Sequence, residues 1–104
     1  RTMIRQLEED QKRRSKRALT DAIDRALIDL LAIYRDVLMV QVGGDGELIN
    51  TDLSDLVHQI AQDSTPRETL ARVDHIETAR KRLVSNGNPL LVLEDMAISL
   101  RPQA

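Results

Sequence analysis

The chain contains no cysteine, tryptophan or phenylalanine, and Tyr34 is its single aromatic residue. Without cysteine, a disulfide framework and a thiolate metal site are both excluded. Without a set of rings there is no stacking platform of the kind single-stranded nucleic acid needs. The core has to be assembled from Leu, Ile, Val, Ala and Met, which suits helix packing. No run approaches the ~18 apolar residues of a membrane span, and no signal-peptide pattern opens the chain. A soluble, cytoplasmic protein is therefore expected. Glycine and proline are also sparse, at four and three. None falls before Gly43, so residues 2–41 run without a helix breaker.

The 104 residues are enough for one domain with one core. The chain opens on Arg1 rather than methionine, as expected of a piece of a longer protein. A net charge of −2 hides an asymmetry: residues 1–17 carry seven basic and three acidic groups, residues 18–104 eight and fourteen. The body would on average repel a phosphate backbone, whereas the first segment would not.

Residues from about 2 to 41 read as one long helix, or two in line. Leu19, Ala22, Ile23, Ala26, Leu27, Leu30, Tyr34, Val37 and Leu38 keep the i, i+3, i+4, i+7 rhythm of a buried stripe. Asp21, Asp24, Arg25, Asp29, Arg35 and Asp36 fall on the other sides, where carboxylates serve solubility and helix pairing. Before residue 18 the apolar pattern thins to Met3, Ile4 and Leu7, and Glu8 to Arg17 is wholly polar. Acidic and basic residues three or four apart support a helix there without giving it a core face. Residues 1–17 are thus a basic helical connecting arm and 18–104 the helical domain.

Gly43-Gly44-Asp45-Gly46 ends the first helix. It is no phosphate loop, because it follows a helix, lacks lysine and carries carboxylates. Asn50, or Thr51, is expected to cap a second helix with Leu53, Leu56, Val57, Ile60 and Ala61 on its apolar face. Thr65-Pro66-Arg67-Glu68 has the form of a capping box with proline inside it. The third helix then runs to about Ser85 with Leu70, Val73, Ile76, Ala79, Leu83 and Val84 inward. Asn86-Gly87 supplies a stop, Asn88 a cap and Pro89 a first helical residue for a fourth helix. That helix is expected to run to about Arg101, with Pro102 ending it. No strand pattern competes. The fold class is all-α, a small bundle of four to five helices with a long first helix.

Catalytic and metal chemistry find little support. His58 and His75 lie on different helices with no ligand partner at i+3 or i+4, and no carboxylate pair sits in a recognisable cleft. No catalytic, cofactor-binding or metal residue is assigned. The basic run Lys12-Arg13-Arg14-Ser15-Lys16-Arg17 reads first as a solvated face, offset by Glu8, Glu9 and Asp10. Its functional alternative is phosphate contact through Arg13, Arg14, Lys16 and Arg17, the basis of a rival reading as a nucleic-acid-binding module. The fourth helix is the remaining candidate. At ~100° per residue, Leu90, Val92, Leu93, Met96, Ala97 and Leu100 cover nearly half its circumference, and Leu91 with Ile98 make a second stripe. Polar groups keep two strips, Glu94 with Arg101 and Asp95 with Ser99. Such a helix is either surrounded in the core or covered by another subunit.

Ala32-Ile33-Tyr34-Arg35-Asp36-Val37-Leu38 and Asn86-Gly87-Asn88-Pro89-Leu90-Leu91-Val92-Leu93-Glu94 together resemble the C-terminal domain of bacterial DNA polymerase III clamp-loader subunits. The delta-prime type of high-GC bacteria is the nearest form, and the glycine-rich loop at 43–46 is a departure that lengthens one connection. The resemblance implies a helical collar domain, one of five that hold a pentamer together. The ATP site, sensor residues and arginine finger of such subunits lie in AAA+ domains whose motifs this chain lacks. It implies no enzyme activity and no cofactor for this fragment, within a complex that loads the sliding clamp onto primed DNA. The implied partners are the delta and gamma/tau collars. Leu91, Ile98, Glu94 and Arg101 on the last helix and Arg35 on the first are the expected subunit contacts, with Leu90, Leu93 and Ala97 anchoring the helix to its own domain.

Overall fold

The computed structural model describes residues 2–85 and 88–101. Among the described residues four helices occur in chain order: α1 (Thr2–Gln41), α2 (Ser54–Asp63), α3 (Pro66–Val84) and α4 (Pro89–Ser99), with a 3-10 turn at Thr51–Leu53 before α2. No strand occurs among the described residues. The expected fold class holds, with four helices. The Asn86-Gly87 turn and the stop at Pro102 lie outside the described residues.

The 40 residues of α1 form one helix. At 1.5 Å rise it spans about 60 Å, which accounts for the 63 Å long axis of the molecule. Its residues 2–19 are all exposed, including Met3, Ile4 and Leu7. Packing begins at Ile23. Ile23, Leu27 and Leu31 of α1, Ile76, Ala79 and Leu83 of α3, and Val92 and Met96 of α4 form the core, flanked by Leu30, Tyr34, Val73 and Leu100. Val37 and Val57 are fully buried where α2 meets α1.

Several expected core positions are solvent-facing instead. Leu19 is 41% exposed, and Ala22, Ala26, Leu56, Leu70 and Val84 are exposed too. The cause is geometric. A bundle this small covers a narrow stripe on each helix, and the stripe on α1 passes through Leu31, which the sequence pattern missed, rather than through Ala22 and Ala26. On α4 the buried positions are Pro89, Val92 and Met96. This overturns the expected anchoring by Leu90, Leu93 and Ala97, all of which are exposed. It also overturns the alternative of a surrounded helix: α4 lies against α3 and, more slightly, α1, at one side of the bundle.

The helix ends are set by local chemistry. Gly43 adopts φ 72°. Its N–H reaches Val40 O at 3.2 Å and that of Gly44 reaches Met39 O at 2.9 Å, the paired bonds of a Schellman stop. At α3, Glu68 N–H donates to Thr65 Oγ1 and Thr65 N–H to Glu68 Oε1, both at 3.1 Å, completing the capping box. At α4, Asn88 Oδ1 accepts from Leu90 and Leu91 N–H at 3.1 and 3.4 Å. The expected cap on α2 is corrected. Asn50 makes no side-chain cap bond, and its amide serves Asp36 on α1 instead.

A candidate subunit-contact surface

Two polar clips hold the α2 end of the bundle. Asp36, 1% exposed, accepts 2.8 Å bonds from the N–H groups of Ile49 and Asn50 and a 3.1 Å bond from Asn50 Nδ2. Burial raises its pKa, but the three donors outweigh burial and hold it below the ordinary aspartate value. Asp36 is therefore no solvated carboxylate, as its place opposite the stripe suggested. No local signal marked it, because its donors lie thirteen and fourteen residues on, in the segment before α2. In the second clip, Gln41 Nε2 donates to Ser64 O at 3.0 Å and Ser64 Oγ at 3.2 Å, while its Oε1 accepts from the buried Thr69 hydroxyl at 2.7 Å. Both clips tie the glycine-rich loop and the α2–α3 corner to α1, so they are structural.

Elsewhere, Arg80 of α3 meets Asp24 of α1 at 2.8 Å, and Arg82 of α3 meets Asp95 of α4 at 3.6 Å. Arg72 lies over the Tyr34 ring at 5.9 Å. His58 and His75 are exposed. His58 Nδ1 sits 2.7 Å from Ser54 O, a contact that requires the proton on Nδ1. Among the described residues no group of three or more His, Cys, Asp or Glu is placed to hold a metal ion, and no helix is long and apolar enough to cross a membrane.

The outward side of α4 is the most unusual surface. With Val92 and Met96 facing inward, Leu90, Leu91, Leu93, Ala97 and Ile98 are all exposed, Leu91 at 58% and Ile98 at 61%. Leu91 and Ile98 stand two turns apart, about 10 Å, on one stripe with Glu94 beside them. Asn88 fixes the start of this helix and thereby the direction of the stripe. Of the other expected contact residues, Glu94 is exposed on α4, whereas Arg101, expected on the same helix, is exposed just past its end, because α4 stops at Ser99. Arg35 is exposed on α1, and among the described residues no hydrogen bond or ion pair links it to α4. Arg13, Arg14, Lys16 and Arg17 are all exposed on the projecting part of α1, with Arg13 paired to Asp10 at 3.1 Å.

The described residues thus form a small all-α helical domain with a projecting helical arm and an apolar helix face turned to solvent. The family of the DNA polymerase III delta subunit, C-terminal part, matches residues 2–101, and the chain belongs to that family. DNA polymerase III subunit delta' of Bacillus subtilis (strain 168) is 38% identical over 72 residues, which are 69% of this chain and 22% of that protein. The chain thus spans about a fifth of the length of that relative. No solved structure matches. The chain is accordingly a clamp-loader C-terminal domain of delta-prime type.

Proposed function

We propose that this chain is the collar module of a delta-prime-type subunit, holding it among the other subunits of the clamp loader that places the sliding clamp on primed DNA in the cytoplasm. The partners in this reading are the collar regions of delta and gamma/tau. Residues 1–17 form the arm leading into the module, and 18–104 the module itself. The observation that carries the reading is the exposed α4 stripe of Leu91 and Ile98, with Glu94 beside it. Covering an aliphatic side chain that is otherwise exposed stabilises by roughly 1.5–3 kcal/mol, so these two residues give a partner a central apolar anchor. Glu94 on the helix and Arg101 just past it then act on orientation rather than strength. Arg35 completes the proposed contacts from α1.

Leu91→Ser with Ile98→Ser tests this directly, because both side chains are exposed and the fold does not depend on them. Association of the subunit with delta and gamma/tau, followed by sedimentation velocity, is expected to weaken by at least tenfold, with thermal unfolding unchanged. Unchanged association of a well-folded variant would refute the assignment of this stripe.

A second reading rests on the arm, where Arg13, Arg14, Lys16 and Arg17 all face solvent. In that reading Arg13, Arg14, Lys16 and Arg17 contact phosphate. Neutralising all four would then remove salt-dependent duplex binding, and binding that is absent or insensitive to salt disposes of it.

A further inference from the structure

Two arginines from the start of α3 and one from beyond α4 line a single cavity at one end of the seam between these helices. Arg67 and Arg72 come from the first turns of α3, and Arg101 comes from the residues just past α4. Together with Glu68, His75 and Ser99 they line a cavity of about 300 Å³. The surrounding body carries an excess of carboxylates, so three guanidiniums around one opening are a local reversal of charge. The single carboxylate in the lining, Glu68, already accepts the Thr65 N–H. Arg72 is braced against Tyr34, while Arg67 and Arg101 are exposed.

The seam continues from this cavity along α3 and α4. A smaller hollow of about 70 Å³ shares His75 and Ser99 with it and ends at Arg82 and Asp95. Asp95 stands about 40° around the helix from Leu91, so a partner seated on the apolar stripe of α4 has its next surface over this seam. We propose that the Arg67–Arg72–Arg101 cavity receives an acidic side chain, Asp or Glu, from the subunit that covers the α4 stripe. The inference rests on the function proposed above and adds the chemistry of the partner.

Carboxylate is favoured over nucleic-acid phosphate by size and by charge pattern. The cavity sits at the small end of ligand clefts and takes one or two side chains. A nucleic-acid backbone needs a longer cationic track, and this seam ends instead in the Arg82–Asp95 pair. The planar guanidinium fork pairs with a carboxylate through two parallel N–H donors, which gives direction as well as attraction. Such a contact sets which acidic residue of the partner lies at the mouth of the seam, and hence the register of the two helical bodies.

The test uses the full-length subunit in the reconstituted assembly. Arg67→Glu with Arg101→Glu is expected to weaken association about tenfold or more, and Arg67→Lys with Arg101→Lys to restore most of it. The lysine variant also supplies amines. A zero-length carbodiimide is therefore expected to join Lys at 67 or 101 to an Asp or Glu of the partner, read by peptide mass spectrometry. Association unaffected by the glutamate variant, or no partner carboxylate joined in the lysine variant, overturns the proposal. Loss of primed-DNA binding with assembly intact assigns the cavity to phosphate and also overturns it. If the Leu91→Ser, Ile98→Ser variant still fails to assemble while the glutamate variant assembles normally, the cavity proposal falls and the collar function stands.

Discussion

Asp36 on α1 grips Asn50 twice, through its backbone N–H at 2.8 Å and its side-chain amide at 3.1 Å. The bond to Ile49 N–H beside it makes the buried carboxylate a triple acceptor. The glycine-rich connection is therefore secured at both ends, by the Schellman stop at Gly43 and by this clip, before the chain enters α2.

Asp36→Ala leaves the donors of Ile49 and Asn50 without their acceptor. These bonds are only part-buried, and a hydrogen bond to a charged group contributes about 1.5–3 kcal/mol, so a loss of about 1–3 kcal/mol is expected in urea unfolding. Asp36→Asn keeps one acceptor oxygen and loses less. A loss under ~0.5 kcal/mol for alanine would show that the clip adds nothing.

Acid unfolding follows from the same residue. The folded state holds Asp36 below its ordinary pKa, so across the window below about pH 4 the unfolded chain binds more protons. Stability from this group is full above that window and is lost as pH falls through the folded-state pKa. The Asp36→Asn variant is expected to show a shallower decline in unfolding free energy between pH 4 and pH 2 than the parent. Equal slopes would rule the clip out as the titrating element.

At Gly43 the φ of 72° lies where a Cβ is strained, although the space around it is open. Gly43→Ala is expected to cost about 1–2 kcal/mol and Gly43→Asn less, measured by thermal or chemical unfolding.

Asp24 and Arg80 connect α1 to α3 at 2.8 Å, but both are about one-third exposed. A double-mutant cycle with Asp24→Asn and Arg80→Gln is expected to give a coupling of no more than about 1 kcal/mol, shrinking further in 1 M salt. By contrast, Leu27→Ala in the core is expected to cost about 2–5 kcal/mol, because Leu27 is fully enclosed.

The arm offers a test of domain division. Its residues 2–19 bury nothing, and an isolated helix of that length is marginal in water. In the free subunit, trypsin is expected to cut first after Arg13, Arg14, Lys16 or Arg17 and to leave the body from about residue 18 intact.

Helix count, helix type and most helix ends were legible in the sequence, since their determinants lie within a few residues of one another. Thr65 with Glu68, Asn88 with Leu90 and Leu91, and Gly43 with Val40 are contacts across two or three positions. The cap at Asn50 was misjudged because its amide had a stronger acceptor fourteen residues back, in Asp36. The candidate contact residues were legible only in part. That Leu91 and Ile98 form a stripe separate from Val92 and Met96 follows from helical spacing. That Leu90, Leu93 and Ala97 share the open side does not, because periodicity fixes angles around a helix without saying how wide a neighbour will be.

The amino-acid sequence by itself thus determined an all-α chain, its long uninterrupted first helix, its polar arm and, at the end of α1 and the starts of α3 and α4, where helices stop and start. These are consequences of backbone hydrogen bonding, side-chain caps and the absence of breakers, all local. The tertiary structure alone decided that Asp36 is buried, that α4 lies at the side of the bundle with a broad apolar face outward, and that Arg67, Arg72 and Arg101 surround one cavity. Each of those depends on groups brought together from distant positions, where burial and charge are set by what packs across the gap and not by spacing along the chain.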